Sequence, residues 1–187
     1  KFPVTKNPSA GREMPSAKSK NLNSIDQPNW EVIFTLRNGN QVRELGGIGM
    51  NENASVIEDQ YDGFTLPRFM DYLEVNHAKR FLNIPYSKDI VPSAQNHEWE
   101  FMIETNLTGK TELLWDNSYF GNNETALVLW DELEKRAIDM KQFNNYSTSA
   151  KTSQSFKIFY GNKSFVQEKI ALKSLRIHSV SPNPTHG

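Results

Sequence analysis

The sequence predicts an all-β fold, namely an antiparallel β-sandwich of the jelly-roll or immunoglobulin-like kind with little helix. Short segments alternate between apolar and polar residues with a period of two, which is the pattern of a half-buried strand. Turn residues separate these segments at intervals of roughly 8–12 positions. No amphipathic pattern long enough for a crossover helix lies between them, which argues against a fold of alternating strands and helices.

Composition limits the partners that we expect for this chain. The 187 residues suffice for one domain with a hydrophobic core. Lys and Arg number 21 and Asp and Glu number 22, so the net charge is −1, whereas nucleic-acid binding needs a basic excess. The absence of cysteine excludes disulfides and cysteine-ligated metals. No apolar run reaches the length of a membrane-spanning helix, so we expect neither a nucleic-acid partner nor a membrane span.

The N-terminal part of the chain differs in composition from the rest. Residues 1–28 are rich in Pro, Ser, Asn and Lys and carry no apolar period. We therefore expect a linker or an extended edge segment there, with the sandwich domain at residues 29–180.

A β-hairpin is predicted at the start of the periodic part. Residues 30–37 are apolar at every second position from Trp30 onward, as in a strand with one buried face. Asn-Gly at 38–39 favours a tight turn, because both central residues of such a turn need positive φ, and 41–45 is then the return strand. The glycine-rich residues 46–49 are interpreted as flexible punctuation, since the Lys-Ser/Thr ending of a phosphate loop is missing.

The middle of the chain predicts a short helical segment followed by a strand. Residues 66–75 are interpreted as one or two helical turns with apolar side chains such as Phe69 and Met70 on one side. Residues 87–92 are interpreted as a turn that leads into a strand at 98–104. Aromatic and aliphatic residues alternate with glutamates in this strand, so one face should be buried and the acidic face wet.

The second half of the chain predicts further strands and two connections. The strands are predicted at 111–115, 126–131, 136–141, 154–160 and 170–180. Residues 117–124 are predicted as a loop, and residues 143–153 as a connection with almost no core material. All four tryptophans lie within strand patterns and are expected in the core.

The chain ends on a phrase that carries functional information. Taken alone, Ser-Pro-Asn-Pro-Thr-His-Gly at 181–187 is a turn with two fixed φ angles. Directly after a predicted strand, however, it resembles the opening phrase, V-x-P-N-P-x-x-G, of the type A C-terminal sorting domain of type IX secretion cargo in Bacteroidetes bacteria. The matching residues are Val180, Pro182, Asn183, Pro184 and Gly187. Residues 181–187 would then be the truncated start of that sorting domain.

The body of the chain also resembles the β-sandwich that often precedes the sorting domain in such cargo. The similar phrases lie at 62–63, 66–69, 86–90, 99–101 and 136–140. The resemblance implies that the intact parent uses the type IX secretion machinery as its partner and is secreted or held on the outer cell surface. A complete sorting domain continues for tens of residues beyond the phrase, so we expect this stretch of chain to lack export competence by itself.

The sequence offers little support for catalysis. The four histidines have no metal-ligand spacing on a common element and are expected at the surface. No nucleophile motif occurs. Glu98, Glu100 and Glu104 share one face of a predicted strand, but an open wet strand lacks the apolar pocket that would raise the pKa of one carboxyl, so a solvated face is the better interpretation. We therefore predict no catalytic and no metal-ligating residues.

Two loop features leave ligand binding open. Asp59–Gly63, and 116–117 with 122–124, place oxygen ligands in loops as calcium prefers, although ordinary Asn and Asp turn chemistry explains both. We therefore expect no cofactor and leave a structural calcium ion as the alternative. Tyr119 and Phe120 lie between Asn-rich flanks, where they would either stack on sugars or fold back onto the edge of the sandwich.

These observations rank three functions. The leading hypothesis is a non-catalytic accessory or adhesion module next to the C-terminal secretion signal of a type IX-exported protein, with surface polymers or surface proteins as further partners. The alternative is a carbohydrate-binding module of a secreted polysaccharide-active enzyme. The second alternative is a jelly-roll glycan hydrolase or lyase.

Overall fold

Two β-sheets packed face to face form the protein, so the prediction of an all-β sandwich is confirmed. The computed structural model describes residues 25, 27–44, 46–68, 70–78, 80–81, 83–118, 120, 123–148 and 152–175. These residues form thirteen strands and one helix. Among them there is no helix that is long and apolar enough to cross a membrane.

Most of the strands are short, and the helix follows the last of them along the chain. In chain order, the strands are β1 Trp30–Asn38, β2 Gln41–Arg43, β3 Gly47–Met50, β4 Gly63–Phe64, β5 Leu73–His77, β6 Arg80–Phe81, β7 Ile84–Val91, β8 His97–Thr105, β9 Thr111–Trp115, β10 Ala126–Asp131, β11 Arg136–Asp139, β12 Asn145–Ser147 and β13 Ser153–Gly161. The helix is α1 Lys163–Leu175.

The strand order places β1 and β13 in the middle of their sheets. The larger sheet runs β12-β9-β1-β3-β7-β4, with β2 paired to β1 and β6 paired to β7. The smaller sheet runs β11-β10-β13-β8-β5. All of these pairs are antiparallel except β3 with β7, which is parallel.

Alternation along the central strands builds the core. In β1 the apolar residues at 30, 32, 34 and 36 are buried while their neighbours face outward, as predicted. The odd-numbered positions of β8 and the even-numbered positions of β13 supply the opposite wall. All four tryptophans are buried, which confirms the prediction for them. Trp30, Trp99 and Tyr160 form one aromatic group with ring centroids 5.1–6.3 Å apart.

The glycine-rich segment after the hairpin is a buried strand, so the prediction of flexible punctuation was wrong. Gly49 in β3 lies so close to β1 that a Cβ atom there would stand 2.3 Å from the carbonyl oxygen of Trp30. Glycine therefore serves close strand packing here, as an absent side chain lets two backbones approach. Residues 87–91 of the predicted turn likewise belong to β7, which pairs with β3.

The described residues of the segment predicted as helical, 66–68 and 70–75, are not in a helix. The strand β5 begins at Leu73. Leu73, Val75 and His77 are buried against β8, a period of two that outweighed the helical spacing seen in the sequence. Met70 is exposed and belongs to no core face.

The predicted strand at 170–180 is wrong for its described part, because residues 163–175 form helix α1. The side-chain oxygen of Asn162 accepts a hydrogen bond from the backbone N–H of Phe165 at 2.8 Å and caps the helix. Val166 and Ile170 are one turn apart and pack on Trp130 and Phe159, on the outer face of the smaller sheet. Residues 176–180 lie outside the described part of the chain.

The connection at 143–153 contributes to the core, contrary to the prediction. It contains β12, an edge strand paired with β9. The side chain of Tyr146 in the middle of this strand is buried between the sheets.

The described chain enters and leaves the sandwich at opposite ends. At the proximal end, where β1 begins and β13 ends, the carbonyl of Ile25 accepts a hydrogen bond from the Tyr160 hydroxyl at 3.0 Å. Ile25 itself is 0% exposed. From there α1 runs back along β13 to the opposite end of the smaller sheet, called the distal end below, where β10 ends and β13 begins. Lys173 of α1 bonds Glu132 at this end. The backbone N–H of Glu132 donates to the carbonyl oxygen of Ser155 in β13.

Candidate functional site

A cleft at the proximal end, called the proximal cleft below, is a concave surface that the structure assembles from distant parts of the chain. Its volume is about 660 Å³. Its lining residues are Gln27, Pro28, Trp30, Met50, Ser93, Ala94, Gln95, Glu124, Thr125, Tyr160 and Asn162. They come from the ends of strands, from the segment before β1 and from three connections between elements, so no local sequence pattern could have shown them together.

The floor of the proximal cleft is formed by buried side chains of the core. Trp30, Met50 and Tyr160 are buried members of the core that reach its wall. The Tyr160 hydroxyl is held by the carbonyl of Ile25. Among the described residues, the indole N–H of Trp30 has no hydrogen-bond partner. This nitrogen atom is itself buried, so its missing hydrogen bond is a cost to the fold and not a contact offered to a ligand.

Backbone geometry fixes the rim of the cleft where α1 begins. Gly161 has a φ of +145°, and a Cβ atom there would lie 2.0 Å from the side-chain oxygen of Asn96. That oxygen instead accepts the N–H of Asn162 at 3.0 Å. The side chain of Ser93 donates to the carbonyl of Pro28 on another part of the rim.

The two loop aromatics predicted as ligand contacts do not form an exposed pair. Phe120 is 1% exposed and belongs to the core cluster, so its ring folds back onto the sandwich, which was the other outcome that the sequence left open. Tyr119 lies outside the described residues. The same loop nevertheless borders the proximal cleft, through Glu124 and Thr125.

The motif residues of the predicted sorting phrase also lie outside the described residues. They are Val180, Pro182, Asn183, Pro184 and Gly187.

The loops considered for calcium use their carboxylates to stabilise turns. The carboxylate of Asp59 accepts the N–H groups of Ser55 and Tyr61, and Asp62 accepts the N–H groups of Asp59 and Ile90. Asp116 accepts hydrogen bonds from Ser118, which lower the pKa of its carboxyl. The described residues contain no group of three or more His, Cys, Asp or Glu side chains that could hold a metal ion.

The acidic face of β8 is engaged by basic side chains. Lys157 bonds Glu98 at 2.6 Å and Glu100 at 2.9 Å, and Lys169 of α1 bonds Glu98 at 2.9 Å. Burial alone would raise the pKa of Glu98, but the hydrogen bonds from the two lysines outweigh it and lower that pKa. This is the electrostatic setting of a structural ion pair, because a general acid needs a raised pKa.

Glu104 belongs to a second polar cluster that the sequence did not indicate. β5 places Glu74 directly opposite Glu104, and Arg68 bonds both carboxylates, at 2.6 Å to Glu74 and 2.8 Å to Glu104. The amide of Asn76 donates to both as well. The guanidinium of Arg68 stacks 4.1 Å from the ring centroid of Tyr72. Two like charges across a strand pair are destabilising unless neutralised, and the cation of Arg68 does so here.

His77 is buried, so the prediction of surface histidines was wrong for this residue. It is 1% exposed, and its Nε2 lies 2.9 Å from the carbonyl oxygen of Gly47, a hydrogen bond that requires a proton on Nε2. His97 is half-buried, with its ring against Trp99. His178 and His186 lie outside the described residues.

A buried aspartate bridges the two sheets near the distal end. The carboxylate of Asp131 is fully buried and accepts hydrogen bonds from the Tyr146 hydroxyl at 2.6 Å and from the Gln154 amide. Its other oxygen accepts the N–H groups of Leu133 and Glu134. Burial, followed by the hydrogen bond to Asp131, raises the pKa of Tyr146. Four donors satisfy this carboxylate, which makes it a structural tie.

Comparisons with protein-family models, with curated proteins and with solved structures gave no match.

Proposed function

We propose that this chain is a non-catalytic β-sandwich accessory module that keeps the part of its parent protein preceding it at a set distance from a C-terminal export region. The observation that carries the proposal is the path of the described chain. It enters at the proximal end beside Tyr160 and leaves at the distal end beside Glu132. A module with this path separates its neighbours, whereas one with adjacent ends would bring them together.

The helix that spans this distance is clamped to the sheet. Lys169 and Lys173 bond Glu98 and Glu132, at two points along the outer face of the smaller sheet. The side chain of Val166 in α1 is buried against Trp130 and Phe159 of the smaller sheet. A 13-residue helix is about 20 Å long. A clamped helix holds that distance, whereas a flexible tether of the same residue count would not.

The sequence resemblance supplies the destination in this proposal. Residues 180–187 resemble the start of a sorting domain, and they follow α1 by only a few residues. The intact parent would pass through the type IX secretion machinery and be released or attached to the outer cell surface.

The electrostatics of the two glutamates that hold α1 support a non-catalytic role. A glycan hydrolase needs two carboxyl groups, one of them with a raised pKa. The pKa values of Glu98 and Glu132 are instead lowered by lysine hydrogen bonds that outweigh burial.

An export assay in a Bacteroidetes host with type IX secretion tests the proposal. A reporter domain is fused before Lys1, and a complete sorting domain is supplied after residue 187. We expect Lys169→Glu with Lys173→Glu to lower delivery of the reporter to the surface severalfold, because both clamps of α1 are replaced by like-charge contacts.

The matched control carries two charge reversals away from the clamps. Lys110 is exposed, and Lys163 pairs with Glu124 in solvent, so Lys110→Glu with Lys163→Glu should leave delivery unchanged. Equal delivery when residues 29–175 are replaced by a Gly/Ser linker would overturn the proposal.

A further inference from the structure

We infer that the proximal cleft is a binding site for the uncharged sugar units of a neutral polysaccharide. The inference deepens the accessory-module proposal by naming a ligand class, and its biological setting rests on that proposal.

Charge selects against ionic ligands. Of the described residues that line the cleft, Glu124 alone carries a charge, and its carboxylate is bonded to Lys163. A phosphate or a sulfated glycan would find no cluster of basic groups among these described lining residues. A metal ion would find a single carboxylate among the lining residues.

The rim offers hydrogen-bonding groups that are polar but uncharged. Gln27 and Gln95 are exposed on two different connections, and Thr125 lies on a third. An amide both donates and accepts hydrogen bonds, which matches the vicinal hydroxyl groups of a sugar ring. Ser93 and Asn162 are already held by Pro28 and by the helix N-terminus, so they stiffen the rim.

The floor suits the apolar face of a sugar. Trp30, Met50 and Tyr160 reach the cleft only through their edges, since each is less than a tenth exposed, and the exposed side chains of Pro28 and Ala94 add apolar surface, so the cleft combines apolar C–H contact with polar edges.

Size and position agree with this ligand class. A volume of about 660 Å³ lies within the usual range of small-ligand clefts, roughly 300–1,000 Å³. The cleft lies at the end of the sandwich, outside the region covered by α1.

The test is calorimetric titration of the 187-residue chain with four neutral oligosaccharides, namely cellohexaose, xylohexaose, mannohexaose and chitohexaose, with oligogalacturonate as the charged comparison. We expect one or more neutral oligosaccharides to bind and oligogalacturonate not to bind. Gln27→Ala and Gln95→Ala should each weaken binding about tenfold, as expected for the loss of a hydrogen bond made in the complex.

Gln41→Ala is the matched control. Gln41 is an exposed glutamine in the hairpin that follows β1, at the opposite end of that strand from Trp30, so its removal should leave the affinity unchanged. No binding of any neutral oligosaccharide, binding that both cleft variants leave unchanged, or equal binding of oligogalacturonate would each overturn the inference. The export assay tests the spacer role separately from sugar binding. If the protein binds no sugar but delivery of the reporter still requires the sandwich, this inference is overturned and the proposed function is not.

Discussion

At the scale of single residues, the order of apolar and polar residues predicts which side chains form the core, but it does not predict which polar side chains bond each other. The burial of Trp30 and Trp99 follows from their place in alternating segments, and sequence reasoning predicted it. The tie between Asp131, Tyr146 and Gln154 joins three strands from both sheets. Nothing in the local sequence of Asp131 differs from an ordinary turn aspartate, so its partners could be found only after the strands had been assembled.

Gly161 gives a prediction at this scale. Its φ of +145° disfavours other residues, and a Cβ atom would collide with Asn96 at 2.0 Å. Gly161→Ala should lower the free energy of unfolding by at least ~2 kcal/mol, since strain and overlap act together. The measurement is urea denaturation followed by tryptophan emission.

Gly39→Ala is the control for that measurement. Gly39 also has a positive φ, +55°, but a Cβ atom there would meet nothing within 4 Å. Gly39→Ala should therefore lower the free energy of unfolding by only about 1 kcal/mol, which is the contribution of backbone strain alone. Equal decreases in the free energy of unfolding for the two variants would show that the contact with Asn96 does not contribute to the effect of Gly161→Ala.

At the scale of elements, the strands in which apolar and polar residues clearly alternate were predicted from the sequence. The elements that were missed, β3 and α1, were missed for physical reasons. β1, β8, β9, β10 and β13 appear at or near their predicted positions. β3 was missed because its glycines read as a loop, although they serve close packing against β1. Helix α1 was missed because Ile170 and Leu172 suggested alternation, whereas the pair that packs is Val166 with Ile170. The cap at Asn162 was the signal that could have identified the helix.

The attachment of α1 should depend on pH. The pKa values of Glu98 and Glu132 are lowered in the folded protein, because lysine hydrogen bonds outweigh the effect of burial. The stabilisation that these two carboxylates give the folded protein is therefore complete at pH values above their ordinary pKa of 4.5. It disappears as the pH falls through their lower pKa values in the folded protein. Urea unfolding at pH 7, 4 and 3 measures this effect.

The comparison for the pH series is the double variant Glu98→Gln with Glu132→Gln. The stability gap between the parent chain and this variant should be largest at pH 7 and shrink below about pH 4.5, where the parent carboxylates take up protons. A gap that stays constant from pH 7 to pH 3 would contradict the assigned role of the two ion pairs.

At the scale of the whole molecule, the fold class was predictable and the site was not. Turn spacing and alternation suffice for a two-sheet sandwich, because each half-buried sheet needs a partner for its apolar face. The proximal cleft is built from segments between residues 27 and 162 that meet only through the strand order. The sequence singled out the loop at 117–124, whose last residue, Glu124, lines the cleft, but it assigned the possible ligand contacts to Tyr119 and Phe120, of which Phe120 is in the core and Tyr119 lies outside the described residues.

The central claim is that the sandwich separates the segments at its two ends, and a distance measurement tests it most directly. The chain contains no cysteine, so spin labels can be placed at Gln27→Cys and Ser174→Cys without further substitution. Pulsed electron paramagnetic resonance should give one narrow distribution centred at about 20–30 Å, the reach of α1 plus the width of the proximal end. A main distance below about 12 Å, or a broad distribution without a dominant peak, would contradict the account.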